Sequence, residues 1–574
     1  MTRHWFRFIT VATVAATAAV TAVVAQRAPF VPVSQEMLLK PSPDDWLMYS
    51  RTYDAQRFSP LKQITRQNVG QLKEAFKKEL GSGPHESIPI VYRGVMYLLL
   101  PGAVIQAIDA STGALIWEHK RPSGASRAKT IAIYEDMVYY PSPDGYIVAL
   151  DARTGEAKWE TKTTGGMTAG VIVVEGKVIA GRTCAPLREN CYISAHDAKT
   201  GVEAWRFYTA AGANEPGGET WADAPDAGRS AATWGLPGGY DPVKRLIYWG
   251  VANPTPNTRA VRHGGRYDAV GLTSPIDLYS NSTIALNPDT GKLAWYYQHL
   301  PGDDWDEDYP HERTLVRTAV SPDPKYVKWI NPDVKKGEQR DIAVMVGEGG
   351  GIFALDRGNG QFLWASPFPF DTPRFLISNI DGKTGKVTLN KDNIFTGPQD
   401  RRVICYWNTR SYWPTAYHPG SNSLFVPYVE NCLDMTTAGP NRMPPERRVG
   451  IPREGSDPEK WAGLMKINVS TGQMTPIYQG RAPGNGAVLA TAGDLVFWGD
   501  LDQKLRAFDA VSGKVLWEQA LAGPIQNSTI TYAVNGKQYV AVMTGSGLVT
   551  GGLMDQAGIK PNRGYNALYV YALP

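Results

Sequence analysis

The sequence predicts an all-β protein, an eight-bladed β-propeller with tryptophan-docking motifs, and three features carry that prediction. Seven segments share the pattern Ala-x-Asp-x-x-x-Gly-x-x-x-Trp along nearly the whole chain. They are AIDASTGALIW to Trp117, ALDARTGEAKW to Trp159, AHDAKTGVEAW to Trp205, ALNPDTGKLAW to Trp295, ALDRGNGQFLW to Trp364 and AFDAVSGKVLW to Trp517, with a degraded copy, KINVSTGQMTP, ending at Pro476. Each reads as strand, tight turn, strand: the Asp caps the turn, Gly supplies the positive φ, and the Trp lies flat on the next unit. Before most copies stands another short strand, as in GVMYLLL, DMVYY, KVIAG and DLVFWG. A four-stranded unit of this kind cannot bury its faces alone, so the units stack, and radial closure protects their edges. The eighth blade is expected from the N-terminal WLMYSRTYDAQRF region joined to the C-terminal ALYVYALP strand. Wide gaps before Trp295, Trp364 and Pro476 are read as long loops over one end of the channel.

Abundant Gly (58), Pro (42) and Trp (17) favour short strands and turns over helices. The net charge of +4 gives no reason to expect nucleic acid as a partner. Residues 1–25 read as a cleaved signal peptide: Arg3, His4 and Arg7 precede an apolar run, and Val23-Val24-Ala25 offers small residues for cleavage. An uncleaved anchor is the competing reading, because that run approaches spanning length. No later segment is apolar enough to cross a bilayer, so residues 26–574 are expected as one exported, periplasmic propeller domain without stable membrane insertion. Four cysteines in an oxidising compartment imply two disulfides. Three pairings are possible; the local ones, Cys184 with Cys191 and Cys405 with Cys432, are preferred. No Cys-x-x-Cys-His occurs, so no c-type haem is expected on this chain.

The segment GDDWDEDYP at residues 302–310 places five carboxylates around Trp305. Such crowding needs a cation, a shared proton or bulk water. In an extended chain Asp304, Asp306 and Asp308 would face one side, toward a cation, with Trp305 and Glu307 on the other.

The opening stretch DWLMYSRTYDAQRFSPLKQIT resembles the start of the soluble pyrroloquinoline quinone (PQQ)-dependent alcohol dehydrogenases, and the likeness runs from about Trp46 to Leu573. GAVIQAIDASTGALIWEH and CYISAHDAKTGVEAWRF look closest to the branch containing sorbose dehydrogenase. The resemblance implies that Asp306, in the Trp-Asp pair after the fourth docking Trp, is the general base. It implies Asn253, in GVANPTP, as a metal ligand, and Asp308 as a further oxygen ligand of the kind found in lanthanide-using members. The family's third ligand, a glutamate, falls on Pro186 in AGRTCAPLRENC, so Glu189 is the expected substitute. For PQQ it implies Trp234 as the stacking ring, Thr233 and Thr168 as hydroxyl donors, Glu86 at the quinone and Lys129 where relatives carry Arg. Lys129 keeps the charge and loses the bidentate fork.

Departures from the family are informative. The adjacent-cysteine disulfide of methanol dehydrogenase is absent from KRPSGASRAKT. Glu348 falls where relatives place Arg or Lys, so another cation is needed there. Asn485 stands in the quinone's surround where Trp is common. These departures imply a roomier pocket, shaped by loops around Lys129, Tyr412 and Asn485, and a bulky secondary alcohol or polyol as substrate. The expected cofactors are PQQ and Ca²⁺, with a lanthanide as the alternative ion, and the expected electron acceptor is an external cytochrome c. The competing expectations are a non-enzymatic scaffold or sensor and a PQQ-dependent sugar or aldehyde dehydrogenase.

Overall fold

Every repeat forms the predicted turn. In this computed structural model, the side-chain oxygens of Asp109, Asp197, Asn287, Asn468 and Asp509 each accept two backbone N–H groups of the following turn. Asp151 and Asp356 accept one each. The turn glycines Gly113, Gly155, Gly201, Gly291, Gly360, Gly472 and Gly513 have φ between 67° and 77°, the left-handed region that penalises a Cβ. The structure describes residues 29–574 except 122–123, 125–126, 185–186, 372–374, 406–413, 438–446, 527, 548–549 and 561–564. The expected signal peptide, Pro186 and Tyr412 therefore lie outside the described residues.

Eight sheets of four or five strands follow one another among the described residues. The first runs through Ile90–Tyr92, Val95–Leu100, Val104–Asp109 and Leu115–His119, each strand antiparallel to the next. Six more follow, up to the sheet that ends at Val515–Ala520. The eighth unites both ends of the chain: Lys73–Glu79 pairs antiparallel with Ala567–Ala572, beside Lys537–Thr544 and Thr529–Val534. The N-terminal strand of that sheet is thus Lys73–Glu79, a correction to the expected WLMYSRTYDAQRF. That earlier stretch is spread across other sheets, with Trp46 bridging Val91 and Phe58–Ser59 running parallel to Leu489–Thr491. Its polar turns and Arg57, whose guanidinium reaches the carbonyls of Tyr49, Val488 and Thr529, make it a strap between sheets instead of a strand.

Four of the six repeat tryptophans cover the turn of the following repeat. A Cβ on Gly155, Gly201, Gly291 or Gly360 would lie 2.4–2.6 Å from the ring of Trp117, Trp159, Trp205 or Trp295 respectively. Trp117, Trp159 and Trp205 also donate Nε1–H to the carbonyls of Ala152, Ala198 and Pro288 in that repeat. Where the repeat is degraded, Ile477 takes the place of the ring against Gly513, and Phe76 of the closing sheet covers Gly113. Apolar clusters join neighbouring sheets: Trp46, Leu98, Phe497, Leu505, Tyr532 and Val542 belong to one of them.

A long excursion interrupts the repetition. Between Ser423–Val429 and Ala462–Asn468, paired strands of one sheet, the chain leaves to form Asn431–Thr436 and Arg447–Pro452. With Arg401–Ile404 these make a separate three-stranded sheet. Both local disulfides are formed, Cys184–Cys191 and Cys405–Cys432, the second holding that sheet. Among the described residues no helix is long and apolar enough to cross a membrane.

The repeat geometry makes a differential prediction. Gly201→Ala puts a methyl group 2.6 Å from the Trp159 ring at φ 73°, and should destabilise by about 2–4 kcal/mol in equilibrium denaturation. Gly536→Ala has φ 76° and open space, so only the backbone cost of about 1 kcal/mol should appear. Equal losses for the two would refute the docking account.

Candidate active site

The acidic loop joins Leu293–Gln298 to Thr314–Val320, and its carboxylates separate into different environments. Asp303 folds the loop onto itself. It accepts N–H bonds from Trp305 (2.6 Å), Asp306 (3.0 Å) and Glu307 (2.9 Å), and one from Asn281 Nδ2 (2.9 Å). Burial nevertheless pushes its carboxyl up to about 6. Asp304 turns away from the others and pairs with buried Arg259, through the backbone N–H (2.5 Å) and Nε (2.7 Å). The expected shared face of Asp304, Asp306 and Asp308 is therefore corrected. The loop is capped and turned, with Asp306 at φ 73°, so the alternation of an extended chain does not apply. Trp305 packs inward, donating Nε1–H to the Asn393 carbonyl at 3.1 Å.

Asp306 and Asp308 remain together. Asn253 joins them, giving its backbone N–H to Asp308 Oδ1 (2.7 Å) and its Nδ2–H to Asp306 Oδ1 (2.8 Å). Asp308 Oδ2 accepts the Trp234 indole N–H at 2.7 Å. Burial, and then the Asp306 charge, hold the Asp308 carboxyl well above the usual carboxylate range. Asp306 is about one-third exposed (33%), and its Oδ2 pairs with Arg448 Nη2 at 2.9 Å. Glu307 is fully buried, and neither of its carboxyl oxygens has a hydrogen-bond partner among the described residues. Burial, reinforced by Glu348, pushes it strongly toward the neutral form.

On the other side of Trp234, Lys129 Nζ lies 5.2 Å from the ring centroid and 3.6 Å from Glu86 Oε2, both ions being buried. Burial lowers the ammonium's pKa, and the Glu86 charge opposes that shift. The Trp234 carbonyl accepts from Thr168 Oγ1 (3.1 Å) and Lys129 Nζ (3.4 Å). Thr168 in turn shares a short hydroxyl contact with Thr183. His311 meets the Trp234 ring edge-on at 6.1 Å. The hydroxyl of Thr233 is taken up by Arg182, whose backbone N–H it accepts at 2.7 Å, so this side chain braces Trp234. Backbone bonds carry the alignment from strand to strand: Ile88 N to Lys129 O, Lys129 N to Thr168 O, Thr233 N to Arg182 O, and Ala252 N to Ala232 O.

Beyond Glu86 the site continues through residues the sequence did not single out. A Cβ on Gly547 would lie 2.2 Å from Glu86 Oε1 and 2.1 Å from Gln526 Nε2. Gln526 Nε2 is buried without a partner among the described residues, and so is Nδ2 of Asn485 on the adjoining segment. Glu348, where a cation was expected, is a buried acid 4.0 Å from His311 Nε2. Glu189 does not join the cluster. It is exposed on the short turn Arg188–Asn190, and among the described residues no three His, Cys, Asp or Glu side chains converge. Of the sequence-derived positions, the structure gathers Glu86, Lys129, Thr168, Trp234, Asn253, Asp306 and Asp308 into one arc. Arg448, Gln526, Gly547 and Thr183 are additions. Arg448 comes from 143 residues beyond Trp305, whose carbonyl it contacts, and no local sequence signal announces such a pairing.

Known proteins share this fold. The family described as glucose/ethanol/alcohol dehydrogenase, β-propeller domain, of PQQ proteins, matches residues 46–133, 161–367 and 461–540. The chain is 31% identical to quinohemoprotein alcohol dehydrogenase ADH-IIG of Pseudomonas putida, over 90% of this chain and 75% of that one. It is 27% identical to methanol dehydrogenase [cytochrome c] subunit 1 of Methylorubrum extorquens, over 89% and 85% of the two chains. The solved structure of the Pseudomonas putida ADHIIG enzyme superposes with a TM-score of 0.79 at 29% identity, covering 95% of this chain and 83% of that one. With a propeller-family match over most of its length, and relatives that are quinone-dependent alcohol dehydrogenases, the chain belongs to the PQQ-dependent alcohol dehydrogenase family.

Proposed function

We propose that this enzyme is an exported quinoprotein oxidising a bulky secondary alcohol or polyol, with Asp306 as the base that takes the hydroxyl proton. The observation that carries the reading is the hold on Asp306: one carboxylate oxygen on Asn253, the other on Arg448, with buried Asp308 alongside and Trp234 behind it. The eight sheets are read as eight blades, closed by the pairing of Lys73–Glu79 with Ala567–Ala572, and the repeat tryptophans as their docking elements.

The residues present fit PQQ. Asn485 Nδ2 and Gln526 Nε2 are buried donors in need of acceptors, which a quinone carboxylate provides. Gly547 presents bare backbone where a side chain has no room. Trp234 offers a flat face, with Lys129 supplying positive charge above it. The residues also fit a hard cation. Asp306, Asp308 and Asn253 are oxygen ligands of the kind Ca²⁺ takes, and turning the Asn253 amide about its axis presents Oδ1 where Nδ2 now points. Ca²⁺ is the expected ion; a lanthanide is the alternative, favoured by the second buried carboxylate. Glu189 is dropped as a ligand.

Bound here, PQQ supplies the hydride acceptor and the ion a Lewis acid. The protein's part is position and field. Asp306 is exposed enough to meet a hydroxyl group, and its plane is held from both sides, so the proton transfers to a carboxylate oxygen already oriented. Lys129 meets an anionic group lying on Trp234, while Thr168 and Thr233 keep that ring in place. Asn485, small for its position, supports the bulkier substrate. Export to the periplasm is supported by the basic-then-apolar N-terminus and by the two disulfides. An external cytochrome c is the acceptor this reading assigns, of the kind named for the Methylorubrum extorquens relative.

Reconstitution with PQQ and Ca²⁺ or La³⁺ should give alcohol-dependent dye reduction, strongest with secondary alcohols or polyols. Asp306→Asn should keep PQQ uptake and lower kcat by about 10²–10⁴-fold; near-normal turnover would exclude it as the base. Asp304→Ala should act on stability, costing about 3–5 kcal/mol in denaturation by leaving Arg259 buried and unpaired. Gln526→Ala should weaken PQQ binding about tenfold, roughly one hydrogen bond to a charged group, read by fluorescence titration of the apoprotein.

A further inference from the structure

The conformation of Asp306 is held both from within its own loop and from outside it. Its φ of 73° is one that side chains with a Cβ avoid, and such strain persists only where surrounding contacts over-determine it. Asp303 caps the loop from within, through N–H groups on either side of and including Asp306. From outside, a single guanidinium makes two contacts. Arg448 Nη2 donates to the carbonyl of Trp305 at 3.1 Å and pairs with Asp306 Oδ2 at 2.9 Å. One planar group therefore holds both the peptide entering the strained residue and its carboxylate, while Asn253 Nδ2 holds Oδ1 at 2.8 Å.

The surrounding charge makes this contact matter. Asp303, Glu307, Asp308 and Glu348 are buried acids in and around the loop. Lys129 is engaged with Glu86 on the far side of Trp234, and Arg259 with Asp304. Among the described residues Arg448 is the side-chain cation paired with Asp306. It does not come from a blade. It lies on Arg447–Pro452, in register with Met435 of Asn431–Thr436, the strand that carries Cys432.

Resting on the reading of Asp306 as the base, we propose that Arg448 is a positioning residue for alcohol oxidation: it sets the carboxylate plane of Asp306 from the disulfide-held sheet outside the ring. A guanidinium suits the task because the two N–H groups of Nη2 are fixed in one plane, facing the Trp305 carbonyl and the Asp306 carboxylate. A lysine at the same position is a single point charge.

The test uses the reconstituted holoenzyme with PQQ and Ca²⁺. Arg448→Ala should lower kcat about 100-fold, the effect of a misplaced catalytic group, with the alcohol KM and the PQQ dissociation constant within about threefold of wild type. Added guanidinium ion should restore kcat in a saturable way, and Arg448→Lys should fall between wild type and Arg448→Ala. Wild-type kcat in Arg448→Ala, loss of PQQ binding in step with kcat, or failure of guanidinium to restore turnover would overturn the proposal. If Arg448→Ala does not fold, Arg448→Lys decides: lowered kcat at unchanged KM supports it, and unchanged kcat overturns it. Wild-type protein that neither binds PQQ nor oxidises alcohols would instead overturn the reading of the site itself.

Discussion

Everything at this site depends on where the negative charge of one short loop is put. Taking a carboxylate out of water is costly unless it is paired, hydrogen-bonded or neutral, and five of them lie between Asp303 and Asp308. The structure uses each of these solutions. Asp303 is satisfied by N–H donors, Asp304 by Arg259, Asp306 by Asn253 and Arg448, while burial drives Glu307 toward its neutral form. Asp308 is left with two good donors and still pushed strongly toward protonation by burial and by Asp306. That residual tension is what a cation would relieve, and it lies beside the ring of Trp234. The loop is thus a device for leaving a selected pair of carboxylates together while disposing of the rest.

The frame makes such a device possible by repetition. Each turn closes on its own Asp or Asn and a left-handed Gly, and each is covered by an aromatic or aliphatic side chain of a neighbouring sheet. The residues of the site sit on connections next to the sheets' first two strands: Lys129 before Ala132–Tyr134, Thr168 before Val171–Val174, and Asn253 just beyond Leu246–Gly250, the second strand of its sheet. Backbone bonds tie Ile88 to Lys129 and Lys129 to Thr168, so the donors facing Trp234 move with the sheets instead of as free loops. Precision is achieved by rigid neighbours, not by local stiffness of the loops.

What the sequence disclosed and what it withheld divide along chain separation. The turns, the strands flanking them and Cys184–Cys191 are local and could be read from a few adjacent residues, whereas Cys405–Cys432 spans 27 residues and rested on a preference for the nearest pairing. The grouping of Asn253, Trp234 and Asp308 came from resemblance, and they meet because all three lie on connections of one sheet, before Gly239–Asp241, after Leu246–Gly250 and after Leu293–Gln298. The error about Asp304 came from assuming an extended chain where Asp303 caps a turn; side-chain alternation fails once one residue adopts positive φ. The closing strand was misplaced because WLMYSRTYDAQRF has a strand-like composition, while its hydrogen bonds go to several sheets. Gln526 and Gly547 had no motif to mark them, since an orphaned donor and an unoccupied Cβ position are visible only in three dimensions. Glu189 was a substitution by sequence proximity, and the turn Arg188–Asn190 leaves it facing solvent.

The sheet carrying Arg448 is attached to the ring in a manner that separates two functions. Two of its three strands are inserted between Ser423–Val429 and Ala462–Asn468, which pair directly with each other without them. Its own integrity rests on three strands and the Cys405–Cys432 bridge. Contacts within the blades then set stability, whereas contacts between this sheet and the acidic loop set the orientation of one carboxylate. Substitutions in the insertion can accordingly alter turnover or substrate range while the ring stays folded. In a fold whose core is committed to a strict repeat, that independence leaves the site room to vary: Asp306 stays on a loop of the ring, and Arg448, which pairs with it, belongs to a part of the chain the repeat does not constrain.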